Sequence, residues 1–196
     1  MPKSFVDLEK RLNLLFLLVL FSLWQLSSTV AFAKDGQDSN IETCKKKETA
    51  DLPNFHQVHP YLYRGGEPSE VGLKKLSDRG IKTIIDLRAK GARTSKEKAL
   101  AQTLGMDYIN LPMSDKAPTQ SQVETFLAAV KEGREKDRPV FLHCAHGSDR
   151  TGCLIGIYRV SEDGYTYKEA YKEMRRYYFG PQFKELSGAV KARAKN

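Results

Sequence analysis

From about residue 60 onward, apolar and polar positions along this chain switch between two periods. Val71, Leu73, Leu76 and Ile81 fit one face of a helix that ends at Gly80, and Ile81 to Leu87 (IKTIIDL) then reads as a buried strand. A helix is predicted from Ser95 to Leu104, stopped by Gly105 ahead of a strand from Tyr108 to Leu111. The loop LPMSDKAPT follows, then a helix from about Gln120 to Gly133 with Val123, Phe126, Leu127 and Val130 along one face. Pro139 to His143 (PVFLH) is a short buried strand, succeeded by a helix from about Arg150 to Glu162. Thr166 and Glu169 form a capping-box pattern that opens a further helix, and a last helix comes after Pro181. Ahead of these, Tyr61-Leu62-Tyr63 is an aromatic strand candidate closed by Gly65-Gly66. Strands alternating with helices imply a single α/β domain, a mostly parallel sheet of about four to five strands flanked by helices.

The N-terminal residues read differently. Lys10 and Arg11 precede an apolar stretch from Leu12 to Leu26, and Ala31-Phe32-Ala33 supplies a small-x-small cleavage pattern, so residues 1–33 are expected to be a secretory signal peptide cleaved after Ala33. Asn13, Ser22 and Gln25 interrupt the stretch and leave it short of a spanning helix, which makes an N-terminal membrane anchor the alternative. Export would place the mature protein in a periplasm or outside the cell. Residues 34–54 are polar and aperiodic and are expected to be a flexible leader, with the folded domain running over 55–196.

Hydrophobic residues make up 40% of the chain and charged residues 29%, which is ordinary for a globular domain. The formal net charge is +8, and loss of three basic and two acidic residues with the signal leaves +7. A basic surface serves phosphoesters, membranes and nucleic acid alike, but the aromatic and basic motifs of nucleic-acid binding are missing, so no nucleic-acid partner is expected. The cysteines are Cys44, Cys144 and Cys153, an odd number that implies no disulfide scaffold and leaves at least one thiol free. His56, His59, His143 and His146 make no ligand pattern with them, so no metal is expected.

The chemically informative segment is HCAHGSDRTG, His143 to Gly152, between a buried strand and a helix. A loop at a helix N-terminus aims successive backbone N–H groups and the positive helix end at one place, which suits a phosphate. Ala145, His146, Gly147, Ser148, Asp149 and Arg150 make up that candidate phosphate-binding loop, with Gly147 and Gly152 allowing close approach and Arg150 offering its planar fork to two oxygens. The same field stabilises a thiolate, so Cys144 is expected to be nucleophilic at neutral pH. His143 is placed to orient the loop, and the Thr151 hydroxyl to steady the sulfur as it leaves a phosphocysteine.

These ten residues resemble the HCxxGxxR[ST]G loop of the cysteine-dependent protein tyrosine phosphatase superfamily. The LYRGGEP, IIDLR and AYKEMRR segments extend the similarity over roughly 58–180, and the export signal makes periplasmic tyrosine or dual-specificity phosphatases of bacteria the nearest group. The resemblance implies the protein tyrosine phosphatase (dual-specificity) fold, no cofactor, and a general acid on a loop before the cysteine; Asp115, 29 positions upstream in PMSDKAPT, fits that place. Arg64 and Arg88 are expected to be partly buried structural ion pairs. Cys153 is expected to be packed and Cys44 inert, either being a possible disulfide partner for Cys144 under oxidation.

The expected activity is hydrolysis of phosphotyrosine, with some phosphoserine or phosphothreonine, in phosphorylated proteins or small phosphoesters. Two alternatives stand beside it: a phosphoinositide or inositol phosphate phosphatase, and an inactive phosphoprotein-binding module. His146 and Asp149 are expected to shade substrate choice, the Asp149 charge disfavouring polyphosphates.

Overall fold

The computed structural model of this protein describes residues 50–195. The expected signal peptide, Cys44 and most of the expected leader lie outside the described residues. In chain order the elements are β1 (His56–His59), β2 (Leu62–Gly65), α1 (Glu70–Asp78), β3 (Thr83–Asp86), α2 (Ala92–Thr103), β4 (Asp107–Asn110), α3 (Gln120–Glu135), β5 (Val140–His143), α4 (Asp149–Ser161), α5 (Tyr167–Arg176) and α6 (Lys184–Lys191). The strands form one five-stranded sheet in the order β1-β2-β5-β3-β4, parallel throughout except for β1, which runs antiparallel on β2. This is the mostly parallel α/β sheet expected from the alternating pattern.

Period-two alternation distributes the apolar side chains over both faces of the sheet. Ile84 and its register partner Phe141 join Leu73, Leu76, Ala101 and Met106 under α1 and α2. Ile85 and Leu142, one residue on, face the opposite core with Val123, Phe126 and Val130 of α3 and Leu154 and Ile157 of α4. Helix α4 is buried on every side from Thr151 to Tyr158, which is why that stretch shows no amphipathic stripe. Side chains start three helices: Ser69 Oγ accepts the Gly72 N–H, and Thr119 and Thr166 open capping boxes with Gln122 and Glu169.

Two boundaries differ from expectation. Residues 50–54 are not leader: Leu52 is buried against α1, the Pro53 carbonyl accepts the Gly66 N–H at 2.7 Å, and the Asp51 carbonyl accepts that of Ser69. One apolar residue in a polar stretch suffices to anchor the segment, and periodicity has no power over a single contact. Helix α2 starts at Ala92, before Ser95, because the Thr94 hydroxyl accepts the Gly91 N–H and closes the first turn from within.

In the parallel register Gly65, Asp86 and His143 end β2, β3 and β5 at the same level, so the segments that follow these strands converge at one edge of the sheet. Crevices at the carboxyl ends of parallel strands are where open α/β sheets place their sites.

Candidate active site

The loop after β5 runs from Cys144 to Ser148 and enters α4 directly. Its shape is imposed by the segment around β2. The Ala145 carbonyl accepts the Glu67 N–H at 3.1 Å. The His146 and Gly147 carbonyls accept from Asn54 Nδ2 at 3.3 and 3.0 Å, and the Gly147 carbonyl also accepts from Arg64 Nη2 at 2.7 Å. In a trans peptide the carbonyl and the next N–H point opposite ways. Pinning three successive carbonyls outward therefore turns the N–H groups of His146, Gly147 and Ser148 into the loop. No side chain caps the first turn of α4, so its N-terminal amides also face this cup.

Cys144 lies at the floor, and its Sγ accepts the Gly147 N–H at 3.2 Å. Burial alone would raise the thiol, but the Thr151 hydroxyl and backbone, the Arg150 charge and the Gly147 amide outweigh it and hold Cys144 below the ordinary thiol value. Thr151 is fully buried, and its hydroxyl has no hydrogen-bond partner among the described residues, which leaves it available to the sulfur. Gly147 has φ +73°, and a Cβ there would lie 2.4 Å from the Gly65 carbonyl carbon and 2.6 Å from Gly66 N, so both conformation and space require glycine.

Arg150 reaches back over the cup, with Nη1 3.3 Å from the Leu87 carbonyl and 3.5 Å from the Met113 carbonyl. Neither is a carboxylate, so its charge is not neutralised by them. Met113 lies in the loop that carries Asp115, which is exposed two residues further on. Asp149 is turned elsewhere: its Oδ1 accepts the Gly180 N–H at 2.7 Å, tying α4 to the segment between α5 and α6. His146 is exposed on the loop, and Ala145 and Ser148 complete it.

Behind the loop His143 is fully buried, its Nδ1 3.2 Å from the Cys144 carbonyl and its Nε2 in a 2.8 Å charge contact with Glu97 Oε1 that does not have hydrogen-bond alignment. Burial disfavours the charged ring, but Glu97 and Asp86 outweigh it and hold His143 above the ordinary histidine value. Asp86, Glu97 and His143 each bring a potential ligand atom within 4.8 Å of the others. The cation among them is already Arg88, whose Nη2 meets Asp86 Oδ2 at 2.7 Å and also contacts Glu97 Oε2, while Nη1 contacts Glu67. Cys153 is packed and inert: its Sγ donates to the Leu186 carbonyl at 3.3 Å, and burial pushes the thiol up to about 12.

Residues 37–191 match the family described as "DSP-PTPase phosphatase fused to NAD+ Kinase". The chain belongs to this family. Among similar proteins, the dual specificity protein phosphatase TpbA of Pseudomonas aeruginosa is 28% identical over 129 residues, which cover 66% of this chain and 56% of TpbA. Inositol diphosphatase DSP5 of Arabidopsis thaliana is 29% identical, over 55% of this chain and 53% of its own length. The chain thus spans about half the length of these curated relatives. A solved structure of Pseudomonas aeruginosa TpbA superposes with a TM-score of 0.61 at 23% identity, covering 71% of this chain and 84% of that one. The core catalytic domain of the PP-IP phosphatase SIW14 of S. cerevisiae superposes with a TM-score of 0.62 at 22% identity, covering 70% and 83%. Both likenesses establish the dual-specificity phosphatase fold.

Within that fold the expectation of ion pairs holds for Arg88 and fails for Arg64, which is fully buried and pairs with no carboxylate among the described residues. Asn54, Arg64, Glu67 and Glu97 support the site, yet none lies within ten positions of Cys144 in sequence. Only the LYRGGEP segment signalled that β2 belonged with the loop.

Proposed function

We propose that this protein hydrolyses phosphate monoesters, phosphotyrosine foremost, with Cys144 as nucleophile. The observation that carries this reading is the Cys144 sulfur on the floor of an amide-lined cup, bonded to the Gly147 N–H and lowered below the ordinary thiol value. A dianionic phosphoryl group seats its oxygens on the loop amides and the Arg150 fork. The Cys144 thiolate attacks phosphorus, the bond to the leaving oxygen breaks, and Asp115 delivers a proton to that oxygen. Asp115, now ionised, takes a proton from water as it attacks the phosphocysteine. The sulfur leaves as a thiolate received by the Gly147 N–H and the Thr151 hydroxyl.

A TpbA variant has been solved in complex with pTyr, which supports a phosphotyrosine-sized opening here by kinship. Inositol phosphates are the second reading, and one observation favours it. The Asp149 carboxylate, expected to repel additional phosphates, is engaged by the Gly180 N–H. Comparing kcat/KM for phosphotyrosyl peptides, phosphothreonyl peptides and inositol phosphates decides between them. A preference of at least tenfold for inositol substrates reverses the assignment, while Cys144→Ser turning over any of them near the wild-type rate removes the nucleophile.

We read residues 1–33 as an export signal, which puts this activity outside the cytosol. Among the described residues no helix is long and apolar enough to cross a membrane. Mass spectrometry of protein from the native host should find Lys34 at the N-terminus, and an intact Met1 in a membrane fraction would favour the anchor.

A further inference from the structure

Arg64 is the buried charge for which neither the fold nor the chemistry above accounts. Its side chain comes off β2 beneath the phosphate loop and is fully buried. Nη2 donates to the Gly147 carbonyl at 2.7 Å, and the guanidinium carbon lies 4.5 Å from the Tyr177 ring centroid. Nε and Nη1 are buried with no hydrogen-bond partner. A Cβ on Gly152 would be 3.8 Å from Nη2, which locates the tip between the loop and the first turn of α4. Glu173, the acid on α5 whose charge acts on it, is itself paired with Arg159 at 2.9 Å.

Burying a guanidinium without a carboxylate costs several kcal/mol. Apolar replacement of buried charged groups is often neutral or stabilising, so a charge kept here calls for an anion that opposes it. The anion on the other side of the Gly147 peptide is the Cys144 thiolate. We propose that Arg64 is a positioning residue, a buried cation that pins the Gly147 carbonyl outward and is balanced by the Cys144 thiolate across the loop. The linkage is geometric as well as electrostatic, because Gly147 accepts from Arg64 through its carbonyl and donates to Cys144 through its N–H.

The surrounding charges agree with this balance. Burial brings Arg64 down to about 10, opposed by Glu173, Tyr177 and the Cys144 thiolate, with Arg159 adding repulsion. On β1, His56 is held below the ordinary histidine value by burial and then by Arg64 and Arg176, so it adds no cation at neutral pH. Arg150 lowers the sulfur directly from the opposite wall of the cup, while the Cys144 thiolate is among the charges that act on Arg64.

The inference rests on Cys144 being the nucleophile, so its test reads the thiol without turnover. The rate of iodoacetamide alkylation at Cys144, followed by peptide mass mapping against pH, gives the thiol midpoint in wild type, Arg64→Gln and Arg64→Lys. Removing a cation that opposes a thiolate raises its midpoint, so Arg64→Gln should shift upward by roughly one unit. Arg64→Lys, which keeps the charge, should restore most of the shift while still lowering kcat, with KM for an aryl phosphate changed less than kcat. A folded Arg64→Gln with the wild-type midpoint overturns the proposal, as does a lysine variant shifted as far as glutamine. If Arg64→Gln does not fold, NMR of the Arg64 guanidinium in the wild-type protein decides. Its Nε–H resonance should titrate with the alkylation midpoint, and indifference to that titration overturns the proposal. A wild-type Cys144 that resists alkylation at neutral pH instead sinks the nucleophile itself, so the two failures are distinguishable.

Discussion

Gly147 and Gly164 share the same backbone dihedral, φ +73°, and differ in what surrounds them. A Cβ on Gly164 would meet nothing within 4 Å, whereas on Gly147 it would be driven to 2.4, 2.5 and 2.6 Å from backbone atoms of Gly65 and Gly66. Gly164→Ala therefore bears only the left-handed strain, about 1–2 kcal/mol. Gly147→Ala bears that strain plus an overlap with backbone that no rotamer relieves, about 1–3 kcal/mol more. For a domain of this size each kcal/mol moves Tm by roughly 2–4 °C, so the clash alone is expected to lower Tm by roughly 2–12 °C beyond the control. The function should suffer more than the stability. Relief of the overlap must push the loop away from β2 and drag the Gly147 N–H off the Cys144 sulfur, and a displacement near 1 Å in such a site costs on the order of 100-fold in rate. Thermal denaturation of both variants, with kcat for an aryl phosphate and the alkylation rate of Cys144, checks each part. Equal Tm losses in the two variants, or a wild-type kcat in Gly147→Ala, would refute the claim that β2 shapes the loop.

Asp115→Asn should lower kcat roughly 100-fold or more on alkyl or tyrosyl esters and much less on esters with good leaving groups. An equal loss across a leaving-group series would place the acid elsewhere. Glu97→Gln breaks a buried charge network and is expected to cost about 3–5 kcal/mol, read by urea denaturation. Because the folded-state pKa of His143 is raised, the stability it contributes is fully present below about 6.5 and is lost as pH rises through the folded value, so the deficit of Glu97→Gln should shrink on the alkaline side. Asp149→Asn should cost about 1–2 kcal/mol through the weakened Gly180 contact and leave the ratio of inositol to phosphotyrosyl activity unchanged.

The elements most legible in the sequence were those whose own residues determine them. Thr119 and Thr166 start helices by their side chains, Gly80 and Gly105 stop them at positive φ, and TIID and VFLH are too short and apolar for anything but central strands. Strand β1, HQVH, was not separable from its surroundings, because a four-residue edge strand with a single apolar side chain shows no alternation, and its existence depends on pairing with β2. Cys144, Arg150 and the cup were readable because ten consecutive residues carry them. The walls of the cup were not. Arg64 reaches the loop through the β2–β5 register, Asn54 comes from the segment before β1, and Glu97 reaches His143 from α2, placements that the spacing along one chain does not encode. The contact of Asp149 with Gly180 was hidden for the same reason, since the two are 31 positions apart.

The central claim is that the phosphoryl group passes through the Cys144 sulfur, and rapid acid quench of the wild-type protein during turnover of an aryl phosphate tests it most directly. Peptide mass spectrometry should find one phosphoryl group on Cys144, forming and decaying at rates that support kcat. Unmodified Cys144 at full turnover, or the phosphoryl group on His143 or His146, would contradict the account.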